Sequence, residues 1–132
     1  MDEDITAKQV TQRWFINLDW FQQNNRSFSA LAQSCLCPKC QEKLKGEIPA
    51  TDLLTNIKDC CSKTPGFITT RMPILGCVFR LFLANGNQPL DVEELGSQLS
   101  DWRDRDTYRT SAEILPRLLK SDRYYGLRQV SD

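Results

Sequence analysis

Residues 35–61 read CLCPKCQEKLKGEIPATDLLTNIKDCC, and this one stretch holds five of the six cysteines of a chain that has no histidine. Cys35, Cys37 and Cys40 open it; Cys60 and Cys61 close it. Clustered cysteines in a chain without export features point to metal ligation rather than to disulfides, because a reducing compartment keeps thiols free. From Cys37 to Cys40 the spacing is C-x-x-C with a proline directly after the first cysteine. Such a tight turn aims two thiolates at one point with backbone amides facing the sulfurs, as in structural zinc sites. Nineteen residues separate Cys40 from Cys60, within the roughly 15 to 20 that join the halves of a four-cysteine site.

The closing half departs from that pattern, since Cys60 and Cys61 are adjacent instead of forming a second C-x-x-C. They end a helix suggested by Thr51 as a cap and by Leu53, Leu54 and Ile57. Neighbours on a helix point about 100° apart, so both reach one ion only where the helix frays or turns. The run SKTPG at residues 62–66 makes such an ending expected. The expected ligand set is Cys37, Cys40, Cys60 and Cys61, with Cys35 competing for the place of Cys60 or Cys61, and zinc is the expected ion. An iron-sulfur cluster also takes four thiolates, but from runs of more regular spacing. A thioredoxin-like redox pair would want a βαβ context. Cys77, inside an apolar helix, reads as a small buried hydrophobe.

Outward from this stretch, 132 residues suit one domain or two small parts that share a core. The expected division is a helical cysteine-rich part at residues 1–70 and a second part at 71–132. Lys plus Arg and Asp plus Glu are 17 each, with no basic tail or acidic tract, which argues against a protein that coats nucleic acid through many phosphate contacts. The start, MDED, is acidic where a secretory signal is basic. The strongest apolar run, residues 72–84, is interrupted by Arg80 and falls short of the about 20 residues that span a bilayer. A cytoplasmic location without membrane contact is the expectation.

Val10, Trp14, Leu18 and Phe21 recur at helical steps and predict a helix over residues 5–24. Its aromatics read as core; stacking on bases would need basic residues among the rings, and only Arg13 stands nearby. Ser27 caps a second short helix with Phe28, Leu31 and Ala32. Phe67, Ile68, Thr69 and Thr70 form a strand-like run. Pro73 opens a helix through Leu83, apolar nearly all round, that neighbours should cover on more than one side. Asp91 with Glu94 starts another helix in the manner of a capping box, with Val92, Leu95 and Leu99 inward. A charged turn is expected at 101–106. A helix follows at 107–121, kinked or truly begun at Pro116, and a strand at 124–130.

This order of helix, short strand, helix, turn, helix and strand resembles a winged-helix domain. The sequences GNQPLDVEEL at 86–95 and DRYYGLR at 122–128 carry the likeness over residues 73–130. The latter is similar to the small winged-helix module of the bacterial RNA polymerase delta subunit; residues 1–70 resemble no family. The resemblance implies a small winged-helix part with a short β element, onto which the zinc-stapled helical N-terminal part read from the cysteines is expected to pack in a mainly α fold. It also implies a third helix that enters the DNA major groove, offering Arg103, Arg105, Arg109, Arg117 and Lys120. Residues 101–128 carry seven basic and five acidic side chains, and the wing hairpin is reduced.

The functional expectation is a zinc-binding, transcription-associated DNA-binding regulator. Its alternatives are a protein-protein adaptor with structural zinc and no DNA binding, and an iron-sulfur or redox-sensing regulator. Near-zero net charge implies weak DNA binding alone, strengthened by homodimerisation or by a larger transcription complex. Enzyme activity is not expected: there is no histidine, no Gly-rich phosphate loop and no open ligand position on a four-thiolate metal.

Overall fold

Among residues 12–69, 71–103 and 114–130, which the computed structural model describes, the chain first pairs with itself at strand β1 (Arg13–Ile16). Trp14 and Ile16 are buried there, whereas Arg13 is exposed and Phe15 half-buried, the two-residue period of a strand with one covered face. β1 is the middle strand of an antiparallel sheet of order β2–β1–β3, with β2 at Leu90–Asp91 and β3 at Leu127–Gln129. Trp14 lies opposite Leu90 and Gln129, and Ile16 opposite Leu127. Ahead of β2, at Asn87, a side-chain amide takes over the pairing. Its Oδ1 accepts from Ile16 N at 2.8 Å and its Nδ2 donates to Ile16 O at 2.9 Å.

The helix expected over residues 5–24 is therefore corrected. Asn17 ends the strand and caps a separate helix α1 (Leu18–Gln23), its side-chain oxygen accepting from Asp19 N and Trp20 N. Trp14 is the strand's inward residue while Leu18 and Phe21 belong to the helix. Their helical spacing thus crosses a boundary, and pairing on both sides of β1 overrides the local period. Residues 5–11 lie outside the described residues.

Helix α2 (Phe28–Gln33) begins where expected, with Ala30 N donating to Ser27 Oγ at 3.0 Å. It leads to α3 (Pro38–Lys43) and α4 (Ala50–Asp59), which starts after Pro49, so Thr51 sits inside its first turn and is not the cap. Residues 67–69 form no strand; Phe67 and Ile68 are buried, and the Phe67 carbonyl is held by Arg80 Nη1 at 3.1 Å. Thr70 lies outside the described residues.

Helix α5 (Ile74–Ala84) is the pillar of the fold. It buries eight residues, including Val78, Phe79 and Phe82, and packs against α4, β1 and α6 (Val92–Arg103), as an all-round apolar helix requires. The capping box at α6 is reciprocal: Glu94 N donates to Asp91 Oδ1 at 2.8 Å and Asp91 N to Glu94 Oε1 at 3.0 Å. α6 runs on through Arg103, so Asp101 is helical and not part of a turn; residues 104–113 lie outside the described residues. Helix α7 (Leu115–Ser121) has Pro116 in its first turn, where the missing N–H is harmless.

The closing strand is shorter than the expected 124–130, because the buried Asp122 carboxylate first gathers a turn. It accepts from the amides of Tyr124 at 3.0 Å, Tyr125 at 3.0 Å and Leu127 at 2.9 Å. Among the described residues the fold is mainly α with one small sheet. The parts expected at 1–70 and 71–132 meet in that sheet, whose central strand comes from the first and whose outer strands come from the second. Among the described residues no helix is long and apolar enough to cross a membrane.

Gly126 makes the closing turn possible. Its φ is 68°, and an added Cβ would meet Phe21 Cε1 at 2.6 Å. Gly126→Ala combines a left-handed backbone, which costs roughly 1–2 kcal/mol for a residue with a Cβ, with a clash against a packed ring. A loss of about 2–4 kcal/mol in denaturant-unfolding free energy is expected; an unchanged midpoint would contradict this.

Candidate metal centre

The cysteine cluster is built by two chain breaks. Cys37 is the N-cap of α3, with extended backbone (φ −71°, ψ 161°), and Pro38 starts the helix behind it. Cys40 follows one turn later on the same side, almost fully buried. On the other side α4 stops at Asp59, and Cys60 leaves helical geometry with φ −127° and ψ −63° before a 3₁₀ turn at Cys61–Lys63. That break brings neighbouring cysteines toward one point. Contacts of α4 with α2, which leads directly into the Cys35–Cys40 segment, set the two segments side by side.

The sulfurs of Cys37, Cys40 and Cys60 all lie within 4.8 Å of one another. Cys37 Sγ is 3.8 Å from Cys60 Sγ and 3.4 Å from Cys61 Sγ. Cys37 N also donates to Cys61 Sγ at 3.2 Å. A tetrahedron of sulfurs about 2.3 Å from a central zinc has edges of about 3.8 Å, whereas a disulfide needs about 2.05 Å. The cluster of Cys37, Cys40, Cys60 and Cys61 has the donor set and spacing to hold a metal ion. Cys61 and Cys40 are buried, while Cys37 and Cys60 are half-buried, so the site has a closed floor and a partly open side.

Its electrostatics match that use. The Cys40 N–H aimed at the Cys37 sulfur, with further hydrogen bonds from the thiols of Cys61, Cys40 and Cys60, lowers the Cys37 pKa to about 6. Burial, reinforced by the neighbouring sulfurs, pushes Cys40 up to about 12, and burial raises Cys61. The Cys37 thiolate is thus solvated by the Cys40 and Cys61 thiols, whose raised pKa values keep their protons on. Uptake of a cation must expel protons from Cys40 and Cys61, and affinity falls as pH falls.

Cys35 stands outside the clustered sulfurs. Its buried Sγ donates to Leu31 O at 3.7 Å, and burial raises its pKa. Cys77 is buried in α5 and donates to Thr69 O at 3.5 Å.

Of the residues expected to touch nucleic acid, Arg117 and Lys120 are exposed on α7 and Arg103 ends α6; Arg105 and Arg109 lie outside the described residues. One constellation escaped sequence reasoning. The guanidinium carbons of Arg26 and Arg128 stand 6.0 and 5.1 Å from the Trp20 ring centroid, and that of Arg26 is 4.2 Å from the Tyr124 centroid. Nothing local signals this grouping, because the fold joins residues about a hundred positions apart. In comparisons with known proteins, no family model, no curated protein and no solved structure matches the chain.

Proposed function

We propose that the protein is a zinc-stapled, winged-helix-like DNA-binding regulator associated with transcription, with Cys37, Cys40, Cys60 and Cys61 as the zinc ligands. The observation that carries the zinc reading is the sulfur spacing of 3.4 to 3.8 Å between cysteines from two separate segments. Thiolate softness and tetrahedral spacing favour zinc among the common ions. Four ligands from the chain close the coordination sphere, so the ion has a structural role and leaves no open position for catalysis.

The DNA part of the reading is supported by the order α5, β2, α6, α7, β3 and by the exposed Arg117 and Lys120 on α7. The arrangement departs from a winged helix in one respect: β1 lies between β2 and β3, where a wing hairpin would pair. Elemental analysis of protein purified without reconstitution should find one zinc per chain. A brown, iron-containing preparation would replace zinc by a cluster. Lys120→Ala and Arg117→Ala should leave folding intact and each lower the log-log salt slope of duplex binding by about one. Unchanged, feeble duplex binding in both would favour a protein adaptor.

A further inference from the structure

Tyr124, Arg26, Trp20 and Arg128 form a ladder in which cations and rings alternate, with ring-to-guanidinium distances of 4.2, 6.0 and 5.1 Å in that order. We infer that this ladder is a stacking platform for unpaired nucleobases, a binding surface for single-stranded nucleic acid separate from α7. The inference rests neither on the zinc nor on what α7 contacts.

The two ends of the ladder differ. Arg128 is fixed: its Nη1 donates to the carbonyls of Asp122 and Leu127 and lies 3.7 Å from Asp122 Oδ2, which anchors it against the Trp20 ring. Arg26 is exposed and has no carboxylate partner among the described residues. Tyr124 is 48% exposed, the one large hydrophobic side chain so exposed among the described residues. A half-exposed ring beside an exposed guanidinium combines a π-face for a base with a donor fork for a phosphate.

The local charge suits a polyanion. Arg26 and Arg128 belong to the ladder itself, and the exposed Arg123 precedes Tyr124 in the chain. The nearest carboxylate on this chain segment, Asp122, is buried, with only 1% of its side chain exposed, and is spent on backbone amides. Asp19 is the only acidic residue of 12–34. A groove of about 380 Å³ opens beside the ladder, lined by Arg26, Tyr124, Ser27 and Ser34 together with the apolar Phe21 and Leu31. That volume is within the range of ligand sites. Interleaved rings and arginines are what sequence-tolerant single-strand recognition uses, since every base presents a π-face.

The test is fluorescence anisotropy with the full chain, a labelled oligo(dT) of about 12 nucleotides, in the range of single-strand site sizes, and a duplex of the same length. Wild-type protein should bind the single strand. Tyr124→Ala should weaken it roughly tenfold, and Tyr124→Phe should keep it within about twofold, because stacking needs the ring and not the hydroxyl. Arg26→Gln should lower the single-strand salt slope by about 0.7. Lys120→Ala should spare oligo(dT) binding even where it weakens the duplex, which separates this platform from the α7 reading. The inference fails if oligo(dT) does not bind, or if its binding ignores both Tyr124→Ala and Arg26→Gln in variants of wild-type melting temperature. It also fails if an acidic peptide of matched charge binds as tightly and is equally indifferent to the loss of the ring.

Discussion

On the proposed zinc reading, Cys40→Ser is expected to abolish metal retention and to unfold the region from α2 to the 3₁₀ turn. Cys40 is the buried corner of the cluster, 1% exposed, and serine replaces the sulfur with an oxygen of nearly the same shape. A packing cavity would therefore explain only a small part of any loss. The larger part is the metal: structural zinc contributes on the order of 10 to 16 kcal/mol of apparent binding free energy in small zinc peptides, comparable with the whole stability of about 5 to 15 kcal/mol of an ordinary domain. A strong chelator should do to the wild-type what the mutation does. The same amount of chelator should act more readily at pH 6 than at pH 8, because protons compete for the buried Cys40 and Cys61 sulfurs, whose pKa values are raised. Cys35→Ser is the control, since its sulfur bonds Leu31 O away from the cluster, and it should keep both the metal and the fold. Thermal melts by circular dichroism with parallel metal analysis decide it. Equal melting temperatures for wild-type, chelated protein and Cys40→Ser would remove the metal from any part in the fold.

The cysteine centre was legible before the fold because its signals are local: a proline behind Cys37, a turn's spacing to Cys40, and a helix-breaking run after Cys61. Even adjacent Cys60 and Cys61 made sense once the helix was required to end between them and Asp59, where it does. Helix α5, the Ser27 cap and the Asp91–Glu94 box were legible for the same reason. Strand β1 was not. It is four residues long, and both of its partners lie more than seventy positions away, so only the local period could be read, and that period happened to continue into α1. The ladder of Trp20, Arg26, Tyr124 and Arg128 was hidden in the same way. The pairing of β1 with β3 and the hydrogen bond from Asn17 N to Gly126 O at 2.8 Å bring α1 beside the closing turn, and no spacing along the chain encodes that.

Phe21→Ala should cost about 3 to 5 kcal/mol, the range for large aromatic truncations in packed interiors. Phe21 is 2% exposed and begins an aromatic chain through Phe28 at 5.6 Å, Phe79 at 6.2 Å and Tyr125 at 5.3 Å, each distance taken from the preceding ring centroid. These rings come from α1, α2, α5 and the closing turn, so one cavity loosens contacts on both sides of residue 70. The ring also packs against the backbone at Gly126, and removing it should recover part of the loss caused by Gly126→Ala, a coupling that a double-mutant cycle measures. Because the buried side chains form one contiguous core and the sheet takes strands from both parts, Phe21→Ala should lower a single unfolding transition by roughly 10 to 20 °C. Two separated transitions, with only the earlier one moved, would show instead that residues 1–70 and 71–132 fold independently and that the shared sheet contributes little to their union.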